Sequence, residues 1–262
     1  MGIGEHPEQS ACTADSACTA EPAAAFIQRV LAEHIDPAYR DFMAKLIPTV
    51  DRARILGVRT PELRRIAKEL RRLSDADEYL RALPHETFEE NQVHAFAVGL
   101  EGDYDRAVAL YDAFLPHVDN WATCDQMPVV TLAKKPDETL SHIDRWLASG
   151  HPCTMRFAIG VLMRLYLDER FDAGLARKVA DSRLPEAAAL PAPESDAYYV
   201  DMMRAWYFAE ALVKQETSIL PYLKRKGADA LLDEWTRRKA IQKAIESRRV
   251  SVALKEQLRS FR

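Results

Sequence analysis

Glycine, cysteine and long apolar runs are all scarce in this chain. It holds only 9 glycines among 262 residues. A sheet-rich fold needs glycine and asparagine in its turns, whereas the abundant alanine, leucine, arginine and glutamate of this sequence favour helices. Because 48% of the residues are hydrophobic, the chain can bury a sizeable core, and an intrinsically disordered protein is excluded. We therefore predict an all-α protein.

The 4 cysteines have neither the spacing of a metal site nor that of a disulfide framework. Cys12 and Cys18 lie in a low-complexity segment, and Cys124 and Cys153 lie in predicted helices. No stretch of about 18 apolar residues occurs, and the first residues lack the pattern of a signal peptide. We expect a reduced, cytoplasmic protein without a metal, another cofactor or a membrane span.

Residues 1–22 form an acidic segment without Lys or Arg. Ser-Ala-Cys-Thr-Ala occurs twice within it, and no apolar periodicity is present. Such a composition cannot build a core, so we predict a disordered tail over 1–22 and a single domain over 23–262.

Helical periodicity covers most of that domain. The clearest case begins near Thr60 and Pro61, with Leu63, Ile66 and Leu70 on one face. One or two helices are expected over 23–47, and others at about 86–100, 104–116, 120–135, 137–149, 153–168, 172–182, 196–214, 217–226, 229–247 and 251–260. A proline-containing surface loop is expected at 184–197. Many antiparallel helices joined by short turns predict an α-solenoid.

The net charge of −4 hides two basic segments. Residues 52–72 carry eight basic and two acidic side chains, and residues 224–262 carry twelve and five. Clustered positive charge on a neutral body is typical of a surface that binds phosphates, although a solvated helix face produces the same pattern. Our candidates for DNA contacts are Arg59, Arg64, Arg65, Lys134, Lys135, Arg238, Lys239, Arg248 and Arg249.

A turn-forming Asp119-Asn120 pair precedes Trp121 and Asp125. Asn120 is a good N-cap, and a helix that begins there places Trp121 and Asp125 on one face, one turn apart. Arg156 and Trp206 also stand out against apolar surroundings. We predict that Trp121, Asp125, Arg156 and Trp206 form one site.

Five blocks of the sequence resemble the AlkD-like DNA alkylation repair proteins, which are HEAT-like repeat DNA glycosylases. The blocks are Gly57-Val58-Arg59-Thr60-Pro61-x-Leu63-Arg64, Asn120-Trp121-x-x-x-Asp125, Arg156-Phe157-Ala158, Tyr198-Tyr199-Val200-x-Met202-Met203-x-Ala205-Trp206 and Lys239-Ala240-Ile241-Gln242-Lys243-Ala244-x-Glu246-Ser247. They occur in the family's order over about residues 25–262. The tyrosine- and methionine-rich block marks a divergent branch.

The resemblance implies a monomer whose HEAT-like repeats present a concave basic face to duplex DNA. It implies excision of purines alkylated at N3 or N7, without the base flipping that most glycosylases use. Asp125 would be the catalytic carboxylate. Trp121 and Trp206 would pack against the deoxyribose of the lesion, with Arg156 as the nearby cation.

The chemistry of that reaction suits these residue types. A purine alkylated at N3 or N7 is already cationic, so it departs without a general acid. The remaining tasks are to stabilise the oxocarbenium-like sugar and to position water. One preorganised carboxylate performs both, and the π-faces of tryptophan attract the developing cation.

Other interpretations of the same residues remain open. Tryptophans on helices are commonly core residues, and an arginine facing an aspartate is often a structural ion pair. The chain could also be a non-catalytic DNA binder or a helical scaffold for proteins. A carboxylate among phosphates would weaken a pure binder, which favours the glycosylase.

Overall fold

A computed structural model describes residues 21–184 and 195–262, and these ranges contain α-helices and short 3-10 turns but no strand. The fourteen helices are α1 (Ala23–Ala32), α2 (Pro37–Leu46), α3 (Thr60–Leu70), α4 (Ala76–Arg81), α5 (Phe88–Val98), α6 (Tyr104–Phe114), α7 (Trp121–Gln126), α8 (Pro136–Leu147), α9 (Pro152–Leu165), α10 (Ala173–Asp181), α11 (Asp196–Lys214), α12 (Glu216–Lys224), α13 (Glu234–Glu246) and α14 (Val252–Ser260). The all-α prediction is confirmed. The predicted tail lies outside the described residues except for 21 and 22, and so does most of the predicted loop at 184–197.

The odd-numbered helices from α3 to α13 pack in succession. Helix α3 contacts α5, α5 contacts α7, α7 contacts α9, α9 contacts α11, and α11 contacts α13. Even-numbered neighbours pack beside them, such as α8 against α9 and α12 against α11. A continuous core of buried apolar side chains runs from α5 to α14, and a second cluster joins α1, α3, α4 and α5. The row brings α7, α9 and α11 side by side.

The entry to α3 depends on a glycine. Gly57 has φ of +95°, and a Cβ at this position would lie 2.3 Å from the carbonyl oxygen of Asp36. The buried carboxylate of Glu89 accepts hydrogen bonds from the backbone N–H groups of Leu56, Gly57 and Val58, at 2.9, 2.7 and 3.2 Å. These contacts fix the connection between α2 and α3 against α5.

The sequence predicted one helix over 120–135, and the structure contains a shorter one. Helix α7 ends at Gln126, and a separate 3-10 turn covers Thr131–Lys134. Met127 has extended backbone angles because Pro128 follows it and disfavours the helical conformation of the preceding residue. A helix of only six residues therefore presents Trp121 and Asp125.

Candidate active-site cleft

Helix α7 begins as its sequence predicts. Asn120 occupies the N-cap, where its side-chain oxygen accepts from the backbone N–H of Thr123 at 2.8 Å. Its amide nitrogen donates to the side chains of Asp119 and Thr123. This cap orients the first turn, so Trp121 and Asp125 project from the same side of the helix.

Asp125 and Arg156 form a bidentate ion pair between α7 and α9. Arg156 donates from Nε to Oδ1 at 2.8 Å and from Nη2 to Oδ2 at 2.7 Å. The side chains are 13% and 7% exposed, so the pair is largely shielded from water. Burial opposes the charge on Arg156, but the hydrogen bonds and charge of Asp125 outweigh it and raise the pKa of the guanidinium.

Arg156 also holds a third element. Its Nη1 donates to the backbone carbonyl of Tyr199 on α11 at 2.7 Å, and its guanidinium lies 5.9 Å from the centre of the Tyr199 ring. The hydroxyl of Tyr199 lies 3.2 Å from Oγ1 of Thr49. One buried arginine therefore connects α7, α9 and α11 at the site.

A cleft of about 450 Å³ opens beside this pair, and we call it the Trp121 cleft. Its walls come from α2, α7, α9, α11 and α13 and the residues that follow α2. The lining residues are Lys45, Leu46, Pro48, Trp121, Arg156, Tyr198, Tyr199, Met202 and Lys243. Aromatic rings form much of its surface, and it carries three cationic side chains but no carboxylate among the described residues.

Trp121 lines this cleft, and a hydrogen bond holds its indole in place. Its Nε1–H donates to the carbonyl of Leu46 at 2.9 Å, at the end of α2. Tyr198 also lines the cleft and packs edge-on against Trp235, with the ring centres 5.6 Å apart. The cleft can thus receive a flat or apolar group against aromatic rings, next to positive charge.

The structure brings together three of the four predicted site residues. Trp121 and Arg156 line the cleft, and Asp125 is hydrogen-bonded to Arg156 but does not line it. Trp206 is half-buried against the core on α11, one turn beyond Met202, and it does not line the cleft. The other two tryptophans lie outside the cleft: Trp146 is buried in the core, and Trp235 is half-buried beside Tyr198.

Two cationic side chains of the cleft, Lys45 and Lys243, had no predicted role. Lys45 belongs to α2 and is exposed, and Lys243 belongs to α13 and is partly buried. Lys243 lies within the last of the five sequence blocks, one helical turn after the candidate Lys239. That position was the only sequence signal for it.

The nine candidate DNA contacts are spread over several elements, and five of them form ion pairs with carboxylates. The pairs are Arg59 with Asp36, Arg65 with Glu62 and Glu69, Lys135 with Asp105 and Glu138, Arg238 with Glu234, and Arg249 with Glu210. Arg64 lies over the ring of Phe96, Lys134 donates to the carbonyl of Gly102, Lys239 donates to Gln242, and Arg248 is exposed. These last four candidates have no paired carboxylate among the described residues.

The described residues contain no group of histidine, cysteine, aspartate and glutamate side chains arranged to hold a metal ion. Within the same ranges, no helix is long and apolar enough to span a bilayer.

The sequence model of the DNA alkylation repair enzyme family matches residues 27–188. The chain belongs to this family. The matched stretch includes Trp121, Asp125 and Arg156, and it ends before Trp206 and Lys243. Comparison with curated proteins found no match. The resemblance to DNA alkylation repair proteins is therefore confirmed, and the residues of the Trp121 cleft on α11 and α13 lie outside the matched stretch.

Proposed function

We propose that this protein is a DNA glycosylase that excises purines carrying a cationic N3 or N7 alkyl group from duplex DNA. The observation that carries the proposal is a carboxylate fixed by two hydrogen bonds beside an aromatic, cationic cleft, in a chain of the alkylation repair family. The protein acts as a monomer in the cytoplasm and uses no cofactor.

In the proposed reaction, Asp125 stabilises the positive charge that develops on the deoxyribose as the glycosidic bond breaks. Each carboxylate oxygen has two lone pairs, and Arg156 occupies one on each oxygen. The remaining lone pairs can accept a hydrogen bond from the attacking water. Because the ion pair fixes the carboxylate before the substrate arrives, little reorganisation is needed in the transition state.

Trp121 supplies an aromatic face for the same cation. Its indole is held by the hydrogen bond to Leu46, so the ring does not need to be ordered when DNA binds. Trp206 is proposed as a second aromatic residue on the α11 side, one turn from Met202. The leaving purine is already cationic, so the site needs no general acid, and none of the cleft-lining side chains is a carboxylic acid.

The row of helices from α3 to α13 is proposed to be the inner layer of a HEAT-like solenoid with a concave, basic face. Lys45 and Lys243 lie at the cleft, and Lys239 lies one turn from Lys243, over the ring of Trp235. Cations around an aromatic cleft suit a backbone of phosphates on either side of a damaged nucleotide.

A non-catalytic binder of DNA is the second candidate function. Two observations favour it: both oxygens of Asp125 are bound by Arg156, and Asp125 does not line the cleft. In that case the ion pair only connects α7 to α9, and the cleft binds a nucleotide without breaking a bond.

Base release from a defined duplex separates the two candidates. A duplex with one N7-methylguanine is incubated with excess protein, and free base is measured by chromatography. The glycosylase predicts release that depends on Asp125, and little release from a matched duplex with a neutral lesion such as uracil. Binding to the methylated duplex without any release would overturn the catalytic proposal and support the binder.

A further inference from the structure

Lys243 is the partly buried amine of the Trp121 cleft. It lies in the last turns of α13, and this helix packs against α11, which supplies Tyr198, Tyr199 and Met202 to the same cleft. Arg156 and Trp121 line the cleft with it. A sugar bound against Trp121 would therefore lie within the space that Lys243 faces.

The amine of Lys243 has no ion-pair partner among the described residues. Other lysines of this protein are paired, such as Lys135 with Glu138, Lys178 with Asp144 and Lys214 with Asp168. An ion pair stabilises the protonated form of the amine, in which nitrogen has no free lone pair, and the carboxylate fixes its position. A paired lysine is therefore a poor nucleophile. Lys243 lacks that restraint.

The surroundings of Lys243 favour its neutral form. Burial is the largest cause and lowers the pKa of the amine, and the positive charges of Arg156 and Lys239 add to this effect. Glu246 and Asp125 act in the opposite direction but do not cancel it. A larger fraction of this amine is thus unprotonated at neutral pH than for an exposed lysine, which is how lysines that form Schiff bases are activated.

We propose that Lys243 attacks the C1′ aldehyde of an abasic deoxyribose and forms a Schiff base, which gives the cleft an abasic-site lyase activity. This inference rests on the proposed function, because the aldehyde is the product of base excision. Arg156 cannot perform this step, since its guanidinium stays protonated. Lys45 lies in the same cleft but is exposed to water.

The reaction balances without a further oxidant or reductant. The neutral amine adds to the carbonyl carbon, and the resulting carbinolamine takes up one proton from solvent and loses water to give an iminium ion. Loss of the C2′ proton to water then drives cleavage of the C3′–O bond, and the 3′ phosphate departs with the electron pair. Hydrolysis of the remaining imine restores the amine and releases the unsaturated aldehyde at the 3′ end.

The test supplies the abasic site directly, so that base excision is not required. The full chain is mixed with a duplex that contains one preformed abasic site, with and without sodium borohydride, which reduces an iminium to a stable amine. Wild type should become covalently linked to the DNA with borohydride and should nick the strand without it. Lys243→Arg should reduce both to the level of a reaction without protein, whereas Lys68→Arg, an exposed change on α3, should match wild type.

Melting temperature and binding to the same duplex show that Lys243→Arg is folded. The proposal is overturned if wild type forms no covalent link, if Lys243→Arg links as well as wild type, or if Lys45→Arg abolishes linkage while Lys243→Arg keeps it. Failure of the proposed excision gives a different pattern, namely covalent linkage to preformed abasic sites without release of methylated base.

Discussion

Replacing Asp125 with asparagine tests the site most directly. The change removes the negative charge opposite Arg156 but keeps nearly the same shape and one acceptor oxygen. Arg156 keeps its hydrogen bond to the carbonyl of Tyr199, so the guanidinium is not left without any partner. Two effects are expected, one on stability and one on chemistry, and each has its own magnitude.

The effect on stability follows from the burial of the pair. Breaking a buried ion pair costs about 3 to 5 kcal/mol of stability. In this variant Arg156 still donates to the asparagine oxygen and to the carbonyl of Tyr199, so we expect a cost near the lower end of that range. For a domain of this size, 1 kcal/mol shifts the melting temperature by about 2 to 4 °C, so a decrease of about 6 to 12 °C is expected. If the wild type has an ordinary stability of about 5 to 15 kcal/mol, more than about nine-tenths of Asp125→Asn stays folded.

The effect on chemistry is separate because the variant remains folded at the assay temperature. Loss of one preorganised electrostatic group typically slows a reaction by about two to three orders of magnitude, or ~2.7–4 kcal/mol of transition-state stabilisation. Single-turnover release of N7-methylguanine, with protein in excess, measures this step. Binding to undamaged DNA should be unchanged or tighter, since a carboxylate near phosphates is lost.

Asp233→Asn is the matched control. Asp233 is 16% exposed and accepts a hydrogen bond at 2.7 Å from Arg204, whose side chain is fully buried. Its position at the N-cap of α13 tolerates asparagine, and it does not line the Trp121 cleft. This control should be destabilised but excise base at the wild-type rate. A destabilised Asp125→Asn that also excises at the wild-type rate would refute the catalytic role and leave Asp125 as a structural partner of Arg156.

Three further predictions concern other parts of the molecule. Burial lowers the pKa of His85 to about 4 and lowers the pKa of His94 well below its ordinary value, so the unfolded chain binds more protons between about pH 6.5 and 4. The melting temperature should therefore fall as the pH drops through this window, and His94→Gln should reduce that dependence. The affinity for DNA should fall steeply as the salt concentration rises. Lys239→Gln should reduce the slope of this salt dependence more than Arg65→Gln does, because Arg65 is already paired with two glutamates. Equal slopes for the two variants would contradict this prediction. Trp121→Phe should keep most of the excision activity and cost about 1 kcal/mol for the lost hydrogen bond, whereas Trp121→Ala should lose activity in single-turnover assays.

The sequence predicted the helices well where their signals were local. The N-cap of α7 and the apolar face of α3 depend on residues within one or two turns, so their positions could be inferred. The predicted helix over 120–135 was too long because the apolar pattern of the sequence continues past Pro128. The restriction that proline places on Met127 ended the helix instead.

The pairing of Asp125 with Arg156 was predictable in outline, whereas the composition of the cleft was not. An isolated arginine in an apolar helix needs a carboxylate, and Asp125 was the candidate. Lys45 and Lys243 come from helices far apart in sequence, and only the packing of α13 against α11 brings Lys243 to the site. The buried His85–His94 contact, at 2.8 Å, was also missed, and Nε2 of His94 has no hydrogen-bond partner among the described residues.

Arg156 determines which experiments can separate folding from function. Its guanidinium connects α7, α9 and α11, so any change in the Asp125–Arg156 pair alters stability as well as the site. Lys243 enters the cleft from α13 without an ion pair to these residues, so its replacement can remove an amine without dismantling that connection. Loss of excision in Asp125→Asn and loss of covalent linkage in Lys243→Arg would therefore be independent results. If both occur in folded proteins, the site combines two chemical groups with different tasks, a fixed anion beside the cleft for the leaving step and a cleft-lining amine for the sugar that remains.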